Sequence, residues 1–162
     1  MSASVDHTPS LGVFHIEQEV TIDAPPDRVF DALTKDVSAW WGEPHMYDES
    51  RARDIRLEPM LGGEFYEDWG NGEGATYATV TLLRRPERLR MSGSMGMSGA
   101  VGGVIDIRLT PRGNSTILHL SHRAVGEVTE QTRASYHNGW KVLLSERLKA
   151  FVERGERTGL RR

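Results

Sequence analysis

The sequence predicts an α+β fold in which a curved antiparallel sheet of about seven strands wraps around one long C-terminal helix. Three observations indicate this fold. An alternating apolar segment stands near the start of the chain, closely spaced strand patterns with short turns fill the middle, and a long proline-free segment of helical period follows. Two short helices are expected after the first strand, so the long helix supplies the large apolar stripe that must cover the sheet.

Composition excludes several classes of function. The 162 residues suffice for about one domain with a substantial core. Because the chain has no cysteine, it has no disulfide, thiol nucleophile or thiolate-bound metal. The formal net charge of -3 gives no basic excess for nucleic-acid binding, and no apolar run approaches the ~20 residues of a membrane span. We therefore expect a cytoplasmic protein without membrane insertion.

The first strand pattern covers residues 14–22. Residues 1–12 are small, polar and aperiodic, which is typical of a disordered lead-in to a single domain over residues 13–155. Gln18 interrupts the apolar alternation of the strand. The apolar residues on its inward face are Phe14, Ile16, Val20 and Ile22.

Short helices and then a meander of strands are expected next. Two adjacent prolines end the first strand and suit the first turn of a helix over residues 27–33, and a second helix is expected over residues 37–41. Turn residues separate the strand patterns that follow, which favours antiparallel neighbours over βαβ units. These strands are expected over residues 53–57, 63–69, 74–83, 88–94, 104–110 and 115–123.

The final helix is expected over residues 128–153. Gly139 in its interior costs about 1 kcal/mol relative to alanine, which indicates a close contact, expected with a strand. Gly155 ends the helix, and residues 156–162 are expected to form a flexible tail. At 100° per residue one arc collects the apolar side chains together with some polar ones. That arc holds Arg133, Tyr136, His137, Trp140, Leu143, Leu144, Arg147, Leu148 and Phe151.

The polar side chains on this arc have two interpretations. Arg133, His137 and Arg147 line a cavity and meet an acidic or carbonyl-bearing ligand, or the two arginines reach solvent or form ion pairs at the ends of the sheet. His137 acts as a general base in the first interpretation and as a hydrogen-bonded structural group in the second. The expected acidic partners of the arginines are Glu64, Asp68 and Asp106.

No metal or cofactor is expected. His119 and His122 stand three apart on a strand and therefore point to opposite faces. The glycine-rich residues 70–74 and 93–99 lack the Lys-Ser/Thr and the helix of a phosphate-binding loop, so they are interpreted as hairpin turns. The methionines around the second loop either form a gate or partner-binding patch or pack on the sheet edge. They are Met91, Met95 and Met97.

Several short motifs together resemble one superfamily. They are V-T-I-D-A-P at residues 20–25 with R-V-F-D-A-L-T at 28–34, W-W-G at 40–42, G-G-E-F-Y at 62–66 and H-N-G-W at 137–140. Their order resembles the START-like, or SRPBCC, superfamily, and within it the branch named for homology to the activator of the heat-shock protein 90 ATPase. The resemblance covers about residues 14–153 and implies the helix-grip fold. Since that superfamily includes lipid and sterol carriers, polyketide cyclases, plant allergens and co-chaperones, it implies no single function.

The leading functional prediction is the binding of a small hydrophobic ligand between the sheet and the C-terminal helix. The ligand would be a lipid, a sterol-like compound or an aromatic, polyketide-like compound. Apolar burial would drive binding, and a few polar groups would orient the ligand. The expected ligand-binding residues are Trp40, Trp41, Phe65, Trp69, Tyr77, Met91, His137, Trp140, Leu144, Arg147 and Phe151.

Two alternatives remain open at this point. The resemblance also implies an interaction module that regulates a chaperone ATPase, as a monomer or a homodimer. It equally implies an enzyme similar to polyketide cyclases or aromatases, which needs acid and base groups within hydrogen-bond reach of each other. The candidates for those groups are His137, Arg147, Tyr66 and Tyr77.

Overall fold

A seven-stranded antiparallel sheet holds a long helix on its curved inner face in the computed structural model, which describes residues 3–160. Across the sheet the strands lie in the order first, seventh, sixth, fifth, fourth, third and second, so the second to seventh strands form a meander and the seventh pairs with the first. This architecture confirms the predicted fold class. The elements before the C-terminal helix are β1 (Gly12–Ile22), α1 (Pro26–Thr34), α2 (Val37–Trp40), β2 (Asp54–Leu57), β3 (Glu64–Gly70), β4 (Glu73–Arg84), β5 (Arg88–Ser92), β6 (Val101–Arg112) and β7 (Ser115–Gly126).

The edge strand β1 is joined to the C-terminal helix at the position that interrupts its apolar pattern. Phe14, Ile16 and Ile22 are buried as the alternation predicts. Gln18 shares their face, and its side-chain amide donates a hydrogen bond of 2.8 Å to the main-chain oxygen of His137. The Gln18 amide thus has a partner on the helix and joins β1 to it.

The C-terminal helix is less uniform than the predicted helix over residues 128–153. It consists of α3 (Glu130–Trp140), a π-helical segment (Lys141–Leu148) and α4 (Lys149–Arg154). In the π-helical segment the hydrogen bonds reach back five residues, as from the N–H of Lys149 to the oxygen of Leu144. The 100° spacing behind the predicted arc is therefore broken over residues 141–148, although the apolar residues of that arc are buried as predicted, namely Leu143, Leu144, Leu148 and Phe151.

Among residues 3–160, Arg133 and Arg147 bond to other groups than the carboxylates expected for them. Arg133 pairs within its own helix with Glu130, and Arg147 donates a hydrogen bond of 2.5 Å to the main-chain oxygen of Glu43. The three carboxylates that were expected to pair with these arginines have nearer partners on the sheet, which explains why the predicted pairs are not observed. Asp106 pairs with Arg88 and Arg90, Asp68 pairs with Arg56, and Glu64 accepts from the Thr79 hydroxyl.

The C-terminal tail packs against α2. The sequence predicts a flexible tail over residues 156–162, whereas the N–H groups of Gly159 and Leu160 donate to the oxygens of Ala39 and Trp41 at 3.0 and 2.9 Å. A Cβ atom on Gly159 would lie 2.4 Å from a carbonyl oxygen of α2, so glycine is required for this approach. The tail therefore helps to fix α2 and the residue that follows it.

The remaining predictions about the chain ends concern residues 1–12 and the last two residues. Residues 3–11 have no helix or strand, and all of them are exposed. Residues 1, 2, 161 and 162 lie outside the described residues, so the predictions that fall on them stay predictions.

His122 is a wholly buried titratable group on the inner face of β7. Its Nδ1 accepts a hydrogen bond of 2.9 Å from the Trp140 indole N–H, and burial lowers its pKa to about 4. In the unfolded chain the pKa returns to its ordinary value of 6.5. Between these two values the unfolded chain binds a proton that the folded protein does not, so acidification favours unfolding.

We expect His122→Gln to flatten the pH dependence of stability. From pH 6.5 down to about 4, the histidine lowers the free energy of unfolding by about 1.4 kcal/mol per pH unit. Glutamine does not titrate but still offers an acceptor to Trp140. Urea unfolding at a series of pH values measures the slope. Equal slopes for wild type and His122→Gln would contradict the assignment.

Candidate functional site

A pocket of about 190 Å³ lies between the first half of the C-terminal helix, the residues after α2 and the loop between β5 and β6. Its rim is marked by Ser135 and Tyr47, which are exposed. The pocket is lined by Trp41, Pro44, His45, Met46, Tyr47, Tyr77, Met95, Gly96, Ser135, Tyr136, Gly139, Trp140 and Leu143.

Aromatic rings form the inner wall of the pocket around Trp41. The centroid of its ring lies 5.7 Å from that of Trp140 and 5.0 Å from that of Phe65, both in edge-to-face arrangements. Tyr77 lies 6.0 Å away from the same centre. Because these rings restrain one another in a buried cluster, the wall is preformed and apolar.

The carboxylate of Glu67 lies behind this wall and is completely buried. Within the described residues it accepts four hydrogen bonds of 2.7–2.8 Å, from the N–H groups of Tyr47 and Asp48, the indole N–H of Trp69 and the hydroxyl of Tyr77. A buried carboxylate is tolerated only when such donors replace its water. Glu67 therefore joins two strands to the residues that form the pocket rim.

Tyr77 is held as a hydrogen-bond donor by this arrangement. Its hydroxyl donates to Glu67 and accepts from the N–H of Tyr47 at 3.0 Å. Burial, followed by the hydrogen bond to Glu67, raises the pKa of Tyr77 well above its usual value. The phenol therefore stays protonated and serves to position the wall.

The segment over residues 43–48 is anchored at several points. The indole N–H of Trp41 donates a hydrogen bond of 2.7 Å to the main-chain oxygen of His45, and Arg147 donates to Glu43. Burial, followed by the nearby Arg147 charge, lowers the pKa of the His45 side chain. His45 is therefore a neutral imidazole at pH 7 and lies on the pocket surface.

Gly139 lines the pocket opposite this segment. A Cβ atom there would lie 3.5 Å from Nδ1 of His45, which is ordinary contact. The close neighbour of the mid-helix glycine is therefore a loop histidine, whereas the sequence predicts a strand.

The loop between β5 and β6 closes another side of the pocket. Met95 has a φ of 53°, a left-handed conformation that is rare for methionine. Its N–H donates to the oxygen of Tyr77 and its oxygen accepts from the Tyr136 hydroxyl, at 2.9 and 2.8 Å. These bonds hold the strained residue over the pocket. Burial raises the pKa of Tyr136 to about 12, so this donor remains protonated.

The expected ligand-binding residues are distributed over several places. Trp41, Tyr77 and Trp140 line the pocket. Others fill the centre of the sheet–helix interface, where a gap of only about 20 Å³ remains. These packed residues are Trp40, Phe65, Met91 and Leu144. Large side chains thus fill the centre of the sheet–helix interface, and the free space lies beside the first half of the C-terminal helix.

The other expected ligand-binding residues lie outside the pocket lining. Trp69 is half-buried and donates to Glu67, and Arg147 binds Glu43. His137 is joined to β1 through its main-chain oxygen. Phe151 packs near the end of the helix, beneath the guanidinium groups of Arg28 and Arg157.

The structure does not bring the expected acid–base candidates together. Tyr66 alternates with the buried Phe65 and Glu67 on β3, so it faces the outer side of the sheet. Tyr77 faces inward and lines the pocket, whereas neither His137 nor Arg147 does.

Glu67 is one of the site residues that were not predicted from the sequence, although a signal for it exists. It stands between Phe65 and Trp69 on the inward parity of β3, so alternation alone marks it as a buried carboxylate. No sequence pattern marks His45 and its neighbours as pocket residues, because they lie in an irregular segment without a period.

The described part of the chain offers neither a metal-binding cluster nor a membrane-spanning helix. From residue 3 to residue 160, no three His, Asp or Glu side chains cluster as metal ligands. Over the same residues no helix has the length and apolar character needed to cross a membrane.

Comparison with known proteins agrees with this fold. The family model described as Activator of Hsp90 ATPase homolog 1-like protein matches residues 23–153. No curated protein matches the sequence.

Several solved structures share the architecture. A protein from Rhizobium leguminosarum is 18% identical with a TM-score of 0.69, and the match covers 91% of this chain and 99% of that one. The Aha1 dimer from Colwellia psychrerythraea is 24% identical with a TM-score of 0.63, covering 88% and 98%. DynU16, from the dynemicin biosynthetic locus, is 19% identical with a TM-score of 0.65, covering 90% and 49%. At these identities the likeness shows the fold alone.

We expect Glu67→Gln to destabilise the protein by about 2–4 kcal/mol. The amide NH₂ would replace one carboxylate oxygen and would face two donors that then have no acceptor. Urea unfolding measures the change. Glu64→Gln on the same strand is the matched control, since Glu64 is only partly buried and accepts from the Thr79 hydroxyl, and it should cost less than about 1 kcal/mol. Similar losses for the two variants would contradict the role of Glu67.

Proposed function

Because the chain belongs to the family of Activator of Hsp90 ATPase homolog 1-like proteins, we propose that it uses the pocket of its helix-grip fold to bind a small hydrophobic ligand. The observation that carries the proposal is the preformed aromatic wall beside an exposed rim. Trp41, Tyr77 and Trp140 present ring surface, and Ser135 marks the way in from solvent. Transfer of an apolar ligand from water onto these rings supplies the binding free energy.

The size of the pocket favours an aromatic compound of one or two rings. Its volume of about 190 Å³ lies below the ~300–1,000 Å³ of sites for drug-sized ligands and near the ~150 Å³ of a cavity that holds benzene. A lipid or sterol would need the centre of the sheet–helix interface, which is filled by side chains such as Trp40 and Leu144. The position of the similarly folded DynU16 in a biosynthetic locus also supports a small-molecule ligand.

We expect naphthalene to quench the tryptophan fluorescence of the protein saturably, because two of the tryptophans line the pocket. Ser135→Phe places a ring at the exposed rim and should weaken binding by about tenfold or more, since the ring occupies the space the ligand needs. Lys141→Phe is the control, because Lys141 is exposed on the same helix outside the pocket lining. Absence of saturable quenching, or equal binding by both variants, would overturn the proposal.

A second function, regulation of a chaperone ATPase, is favoured by the family description and by one surface cluster. On the outer face of the sheet, Asp106 is surrounded by Arg88, Arg90 and Arg108, which leaves excess positive charge there. Ile107 points inward between two of these residues, so the cluster faces away from the pocket. An acidic surface of a partner would complement it.

We expect the protein to stimulate an Hsp90-type ATPase if this second function holds. Arg108→Glu should reduce the stimulation several-fold, because Arg108 is exposed and reversal of its charge would repel an acidic partner. Lys35→Glu is the control for net charge, because Lys35 is also exposed and directly follows α1. A steady-state ATPase assay without stimulation by wild type would exclude this function.

A further inference from the structure

Tyr47 holds an aromatic ring at the mouth of the pocket. The residue lines the pocket, yet 54% of its surface is exposed to solvent. The other rings that line the inner wall, those of Trp41 and Trp140, belong to buried residues. The aromatic surface of the pocket therefore continues outward onto the rim at Tyr47.

The main chain of Tyr47 is fixed by groups inside the protein. Its N–H donates to one oxygen of the Glu67 carboxylate at 2.7 Å and to the Tyr77 hydroxyl at 3.0 Å. The N–H of Asp48 donates to the other oxygen of the same carboxylate at 2.8 Å. Because Glu67 is buried on β3, these bonds tie the rim residue to the sheet.

The ring of Tyr47 packs against Trp69. The two ring centroids lie 6.0 Å apart with their planes inclined by 38°, within the range of attractive aromatic pairs. Trp69 is restrained in turn by the hydrogen bond from its indole N–H to Glu67 and by the Arg51 guanidinium, 5.7 Å from the ring centroid. Tyr47 therefore offers a preorganised surface, which costs less entropy to engage than a mobile side chain.

The free volume of the pocket limits how much of a ligand lies inside. About 190 Å³ accommodates one or two rings, and the neighbouring centre of the sheet–helix interface has a gap of only about 20 Å³. A longer aromatic ligand therefore has no room to extend inward, and its further part must lie at the rim. There it meets the exposed ring of Tyr47, and covering that ring removes apolar surface from water.

We propose that the ligand is an elongated aromatic compound whose inner one or two rings fill the pocket and whose outer ring stacks on Tyr47, an inference that rests on the proposed function of the pocket. Tyr47 is then a specificity-determining residue, because it binds the part of the ligand that the pocket cannot hold. An outer ring suits this position better than an alkyl chain, since stacked rings attract each other beyond the effect of buried area.

The test compares naphthalene with 4-(2-naphthyl)pyridine, which carries one further ring, by fluorescence titration at pH 8, where the pyridine is uncharged. Wild type should bind the longer compound about tenfold more tightly, the effect of one stacked ring pair together with its buried area. Tyr47→Ala should lower this ratio to about threefold or less, because the outer ring loses its stacking partner. Tyr47→Phe should keep the wild-type ratio.

The design separates the ring of Tyr47 from its structural contacts. The bonds to Glu67 and Tyr77 come from the main-chain N–H, so Tyr47→Ala removes the ring and leaves them in place. Since Tyr47 also lines the pocket, the ratio of the two affinities is read for each variant. Tyr66→Ala is the matched control, because Tyr66 lies on the outer face of β3, and it should keep the wild-type ratio.

A second measurement uses the wild-type protein alone. Nuclear Overhauser contacts should connect the pyridine protons of the bound compound to the ring protons of Tyr47. Equal affinities of wild type for the two compounds, an unchanged ratio in Tyr47→Ala, or absence of these contacts would overturn the inference, while saturable naphthalene binding would leave the proposed function standing. Failure of both compounds to bind would overturn the inference together with the proposed function.

Discussion

The buried carboxylate of Glu67 is the constraint on which the site depends. A charge without contact with solvent is stable here only because donors from two strands and from the rim segment converge on it. Each of those donors is thereby fixed in place, including the Tyr77 hydroxyl behind the aromatic wall. The shape of the pocket thus follows from a group that does not line it. These hydrogen bonds join the sheet to the rim segment, so the fold itself fixes the shape of the pocket.

The position of the pocket follows from what fills the rest of the interface. Trp40 and Leu144 lie together at the centre of the sheet–helix interface. Outside it, the main chain of Gly159 and Leu160 in the tail donates hydrogen bonds to α2 and to the residue after it. These contacts leave no room between the middle of the helix and the sheet. Free space remains where the rim segment faces Gly139, since the glycine has no side chain to fill it. The size of the pocket is therefore set by the packing around it as much as by the residues that line it.

The fold was predictable because it depends on periodicity, and the site was predictable only in part. Alternation placed Phe14 and Ile16 inward, and the helical period identified Trp140 as a core residue that also lines the pocket. His45 could not be found in this way, since long-range hydrogen bonds bring its irregular segment to the helix. Glu67 was accessible to the same parity argument as Phe65, but a carboxylate is not expected to face a core. A residue's position is thus predictable where it follows from the strand or helix period, and it is not predictable where it depends on a single polar contact.

The π-helical segment Lys141–Leu148 has a consequence for how relatives of this chain are to be aligned. Each of its turns holds about one residue more than an α-helical turn. A relative with an ordinary α-helix would therefore bring the equivalents of Trp140 and Phe151 to the same places with a shorter sequence between them. An alignment without a gap would shift one of these two residues onto the wrong neighbour. The two halves of the helix should be aligned separately, and length differences between homologues should be sought at this segment.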